Sequence, residues 1–124
     1  MVPALTDPPD PSALPALPAV PSGFPSAAVV SLLRSMADDE FVIGFSDSEW
    51  TGIAPQLEED IAMSSLAQDE LGHAAALYGL LADLTGTDPD ALAYDREPAD
   101  YRHARLLDHG RGDWAMTMAR RYLY

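Results

Sequence analysis

Apolar and polar positions along the chain change texture at residue 26. From Ser26 to Trp50 the apolar residues recur as Val29, Leu32, Leu33, Met36 and Ile43, with a second set at Phe41, Val42 and Phe45. So broad an apolar surface at helical spacing predicts a helix buried on most sides, and Ser26 can cap its start. Thr51–Ala54 contains Gly52 and breaks the pattern. Pro55 then falls where proline is favoured, in the first turn of a helix. Glu58, Glu59 and Asp60 follow it and complement the positive end of the helix dipole. This second helix is expected to run to about Leu84 on a stripe of Met63, Leu66, Ala67, Leu77 and Leu81, with Gly86 ending it. Two long helices joined by a tight turn form an antiparallel hairpin.

The flanks read differently. Residues 1–25 hold eight of the eleven prolines, so no regular helix or sheet can run through them; they are expected to be an extended, disordered leader. A proline-rich docking peptide is the functional alternative, but no basic residue flanks the stretch to orient one. Residues 85–98 carry Gly86, Asp88, Pro89 and Pro98 and read as a loop. A short helix is predicted at Ala99–Asp108, and Asp113 can cap another that begins at Trp114. That last segment stops at Tyr122-Leu123-Tyr124 with no glycine or polar tail, as in a sequence cut inside a helix. The pattern as a whole is all-α. It suggests a partial ferritin-like helical domain over 26–124, made of one hairpin and part of a second.

Charge and composition narrow the partners. The chain has 20 acidic and 7 basic side chains, a net charge of -13. That excess argues against nucleic acid and anionic membrane surfaces, which reward basic patches. No cysteine is present, which excludes disulfides, Cys-ligated zinc, iron–sulfur clusters and thiol catalysis for this chain. No apolar run approaches the ~18 residues of a membrane span, and the N-terminus lacks the order of a secretory signal. The cytoplasm is the expected location.

The chemistry lies in the second helix, where Glu70-Leu71-Gly72-His73 forms an E-x-x-H. Positions i and i+3 share a helical face, so a carboxylate and an imidazole can reach one ion. Di-iron and di-manganese bundles take one Glu from each of two helices and an E-x-x-H from each of the other two. A packing His beside a surface Glu is the plainer explanation. Against it, Met63, Leu66, Ala67, Ala74, Leu77 and Leu81 lie in the same stripe, and a bare carboxylate there is costly. The first helix must then supply a carboxylate at the same height. Glu40 lies 15 residues before Pro55 and Glu70 lies 15 after it, whereas Glu49 lies only 6 before. At 1.5 Å per residue, Glu49 sits ~13 Å further along the axis. Glu40 also shares a stripe with Leu33, Met36 and Ile43. Glu40, Glu70 and His73 are therefore the candidate metal ligands, with iron or manganese the suited ions. The competing view of Glu40 is a solvated member of the Asp38-Asp39-Glu40 run. Asp69 is either a neighbour supporting the site or a surface charge. Glu49 reads as a structural contact near the turn, Trp50, Tyr78 and Trp114 as packing residues, and His103 and His109 carry no assigned role.

Several blocks resemble the phenylacetic acid catabolic protein family. They are Glu49-Trp50-Thr51-Gly52-Ile53-Ala54-Pro55-Gln56-Leu57-Glu58-Glu59-Asp60 and Ala67-Gln68-Asp69-Glu70-Leu71-Gly72-His73-Ala74. Leu92-Ala93-Tyr94-Asp95-Arg96 and the run from Gly112 to Tyr122 are most similar to the family's C-type members. The resemblance covers roughly residues 30–124. It implies a ferritin-like subunit of the phenylacetyl-CoA 1,2-epoxidase, a multicomponent monooxygenase. There the A-type subunit holds the di-iron centre, and the C-type subunit is chiefly structural. It also implies a hetero-oligomer with the A-type subunit and other epoxidase components, phenylacetyl-CoA as substrate of the complex, and electrons from a separate reductase. Glu40, Glu70 and His73 stand where the A-type subunit's first-half ligands fall. The family's bundle continues past Tyr124 with a further carboxylate and a second E-x-x-H, so this chain is expected to hold half of a di-iron ligand set and not to be catalytic alone. The competing readings are a stand-alone ferritin-like metal protein for iron storage or peroxide handling, and a purely structural helical fragment.

Overall fold

The computed structural model describes residues 26–124. The expected leader at 1–25 lies outside the described residues. Four α-helices follow in order: α1 (Ser26–Ser48), α2 (Leu57–Thr85), α3 (Pro89–Tyr94) and α4 (Trp114–Leu123). Single 3-10 turns occupy Pro98–Asp100 and Arg105–Asp108. There is no strand among the described residues, so the all-α expectation holds. None of these helices is long and apolar enough to cross a membrane.

The hairpin of α1 and α2 is the frame. Its turn is tied by backbone bonds from Trp50 to Asp47 and from Ile53 and Ala54 to Trp50. Gly52 adopts φ 82°, a left-handed conformation that suits glycine, and its N–H donates to Asp60 Oδ2 at 2.7 Å. That bond satisfies Asp60 in the first turn of α2. The helix starts at Leu57 behind an extended Gln56, so Pro55 precedes the helix instead of opening it. Gly86 ends α2 at φ 68° with its N–H on Ala82 O, as the sequence pattern expects.

Small residues draw the two helices together. Ala37 and Ile43 of α1 and Met63, Ala67, Ala74, Tyr78 and Leu81 of α2 are buried; full burial of a side chain such as Ile43 or Leu81 contributes roughly 1.5–3 kcal/mol. At Gly44 the approach is closest. A Cβ there would lie 2.9 Å from Leu71 Cγ and 3.2 Å from Ala67 O. Leu92 and Ala93 of α3 complete the apolar cluster with Ala37, Ala74, Tyr78 and Leu81.

Three further sequence expectations need correction. Residues 85–98 are not all loop, because Pro89 opens α3 at its first position instead of breaking it. The helix expected at Ala99–Asp108 resolves into the two short 3-10 turns. Leu66 and Met36, placed on core stripes, are 38% and 44% exposed. Leu57, Ile61, Leu80 and Leu84 are exposed as well, so α2 carries apolar side chains that nothing among the described residues covers.

α4 packs back on the turn. Asp113 Oδ1 caps it by accepting from Met116 N at 2.8 Å. Trp50 and Trp114 meet edge to face at 4.9 Å, and Trp50 Nε1 donates to Thr117 Oγ1. This packing brings Arg120 and Arg121 against α1.

Candidate metal centre

Glu40, Glu70 and His73 meet in space: each offers one donor atom, and the three atoms lie within 4.8 Å of one another. His73 Nδ1 is 3.5 Å from Glu40 Oε2 and 3.7 Å from Glu70 Oε2. The hairpin produces this because equal offsets from the turn give equal heights. The carboxylates are largely shielded, whereas the His73 side chain is 65% exposed, which leaves the site open on one side. Asp69 is exposed beside it. Glu49 is also exposed, and its contact is through the backbone: its carbonyl accepts from Arg111 Nη1.

The two glutamates are not equivalent. Burial, followed by the nearby Glu70 carboxylate, pushes Glu40 up to about 7. Glu70 moves the other way. Burial pushes it up, but the proximity of Glu40 and the Arg121 guanidinium outweigh that and hold it below its ordinary value. The pair thus favours a shared proton on Glu40 when no other cation is present.

Two residues that sequence reasoning did not single out complete the cluster. Arg121 Nη1 donates to Glu70 Oε1 at 2.8 Å and lies 2.9 Å from Asp47 Oδ2. Asp47 is fully buried, yet neither of its oxygens has a hydrogen bond. Burial raises its pKa against the pull of Arg121 and Arg120. Arg120, 2% exposed, donates to Ser46 Oγ and to the carbonyl of His109. The signal for Asp47 was present in the sequence, since it lies seven residues after Glu40, two turns on along the same face.

A divalent ion of the iron or manganese type fits Glu40, Glu70 and His73. The donors are two carboxylates and an imidazole with no thiolate, and Glu40 Oε2 is buried without a hydrogen-bond partner. A di-iron centre takes about six protein ligands from four helices. The described residues bring three such donor groups together, and Arg121 already engages the second oxygen of Glu70.

A second buried carboxylate, Asp38, is a structural anchor. It belongs to the acidic run that includes Glu40, yet it is 0% exposed. Tyr78 donates its hydroxyl to Asp38 Oδ1 at 2.7 Å, Arg102 N donates to Oδ2 at 2.7 Å, and Arg96 spans both oxygens. Burial pushes its pKa up, and these donors more than reverse the shift. Tyr78 is therefore a hydrogen-bonding residue as well as a packing one. His103, without an assigned role, pairs with Asp108 Oδ1 at 2.8 Å.

The sequence profile of the phenylacetic acid catabolic protein family matches residues 24–124. The chain belongs to this family. It is 34% identical over 88 residues to the C component of the 1,2-phenylacetyl-CoA epoxidase of Escherichia coli, an alignment covering 70% of this chain. The same alignment spans 36% of that relative, so the chain matches only about a third of the relative's length. The C-type resemblance is thereby supported, and the family match spans the hairpin and α4.

Proposed function

We propose that the chain acts in phenylacetate catabolism as a C-type component of a phenylacetyl-CoA epoxidase assembly, in which it scaffolds the catalytic di-iron subunit. The observation that carries this reading is the 34% identity to the epoxidase's C component over 88 residues. The uncovered apolar side chains of α2 support a protein partner. The acidic excess, a net charge of -13, would orient that partner more than it would bind it. Ring epoxidation of phenylacetyl-CoA with O₂ belongs in this proposal to the whole assembly.

Glu40, Glu70 and His73 are proposed as the residues that would hold an iron ion. Iron in such a set supplies one-electron and dioxygen chemistry. The chain's own part is to fix the two carboxylates by the hairpin and to present His73 from the open side. With three ligands, the 124-residue chain is expected to bind metal weakly and to show no epoxidase activity alone.

The test is copurification with an A-type oxygenase subunit at low and at high salt. Apolar burial predicts a complex under both conditions, with slower association at high salt. No complex under either condition would remove the subunit reading. A second reading, a stand-alone ferritin-like di-metal protein, is favoured only by the convergence of the three donors. Tight stoichiometric iron in the isolated chain would support it instead.

A further inference from the structure

Arg121 stands where the acidic cluster most needs positive charge. Its Nη1 lies 2.8 Å from Glu70 Oε1 and 2.9 Å from Asp47 Oδ2, and its side chain is only 19% exposed. Glu70 therefore divides its oxygens: Oε1 takes the guanidinium and Oε2 faces His73 Nδ1 at 3.7 Å. Asp47 has no hydrogen-bond donor of its own. For this buried carboxylate the guanidinium is the compensating charge. The position of Arg121 is built: the Asp113 cap, the Trp50–Trp114 contact and the Arg120 bonds to Ser46 and His109 all fix α4 against α1.

We infer that Arg121 is a resident counter-cation that competes with a divalent metal ion for Glu70 and thereby sets the metal affinity of the Glu40–Glu70–His73 site. This rests on the reading of those three residues as metal ligands. A guanidinium is permanently charged and is held here at a carboxylate oxygen. It draws electron density from Glu70, and it repels a dication brought to the other oxygen. An ion entering the site must act against both effects. Once Arg121 is removed, Glu70 is free to turn both oxygens to the ion.

The experiment is a Mn(II) titration of the 124-residue chain, followed by loss of the free-ion EPR signal. Wild type is compared with Arg121→Gln and with Asp47→Asn/Arg121→Gln. The double variant leaves no orphaned buried carboxylate, so it keeps the fold if the single variant does not, and it still releases Glu70. Both are expected to bind Mn(II) at least about tenfold tighter than wild type, the scale on which groups around metal ligands move affinity. Equal affinity in wild type and in a folded variant, judged by matching circular dichroism, overturns the inference. Glu40→Gln and His73→Ala, made in each background, separate the two levels. If binding depends on Glu40 and His73 but not on Arg121, the counter-cation is wrong and the site stands. If binding ignores Glu40 and His73, the site itself is wrong.

Discussion

Asp38 and Asp47 are both fully buried carboxylates on α1. They lie nine residues apart, about half a turn out of phase. Their environments differ completely. Asp38 receives Tyr78, Arg96 and the backbone N–H of Arg102. Asp47 has the charges of Arg121 and Arg120 nearby, without a hydrogen bond to either oxygen. Their pKa values move in opposite directions, Asp38 down and Asp47 up, although burial pushes both up. Burial alone therefore does not decide what a carboxylate does. A complete donor set makes Asp38 a fastener between the hairpin and the 95–104 segment. An incomplete set leaves Asp47 dependent on the charge of its arginine neighbours.

The largest effect that tests this contrast is on stability. Asp38→Asn strands the Arg96 guanidinium against a neutral partner, and losses for breaking a buried pair run roughly 3–5 kcal/mol. Asp47→Asn is expected to cost about 1 kcal/mol or less, because Arg121 keeps Glu70. Urea denaturation of the two variants measures both. Equal losses would erase the distinction between the two ends of α1.

A smaller effect is its pH dependence. Asp38 is held below its ordinary value, so its stabilisation is present above the unfolded pKa and fades as pH falls through the folded one. Glu40 has the opposite sign. Its folded pKa is raised from 4.5 to about 7, so its contribution is full below 4.5 and lost as pH rises through about 7. Glu40→Gln should thus gain on wild type between those two values, whereas Asp38→Asn should gain on wild type only in acid. A pH-independent difference for Glu40→Gln would remove the shared-proton description of the pair. The smallest effect is that of His73→Ala. Its side chain is 65% exposed, so the change should stay within about 0.5 kcal/mol, and its cost should appear in metal binding instead. A large stability loss would make His73 a packing residue.

The hairpin was legible because breakers punctuate it: Gly52 and Gly86 both sit at left-handed turns. The pairing of Glu40 with Glu70 was legible because antiparallel helices convert equal offsets from a turn into equal heights. What escaped depended on contacts distant in sequence. Nothing in the acidic run marks Asp38 as internal, because its partners Tyr78, Arg96 and Arg102 lie 40, 58 and 64 residues later. Arg121 reaches Glu70 across 51 residues, and no spacing rule links them. α3 was missed because Pro89 signals equally a break and a helix start.

Gly44 gives the hairpin its gauge. It lies one turn after Glu40, and the atoms opposite it, Leu71 Cγ and Ala67 O, flank Glu70. A methyl group at residue 44 would act as a shim between the helices. Alanine gains about 1 kcal/mol in helix propensity, but overpacking at such contacts costs roughly 1–3 kcal/mol. The relief available to the helices is to part, and the two carboxylates then part with them. The span that a bound ion would have to bridge is in this sense machined by an absent side chain, at a residue that touches no ligand.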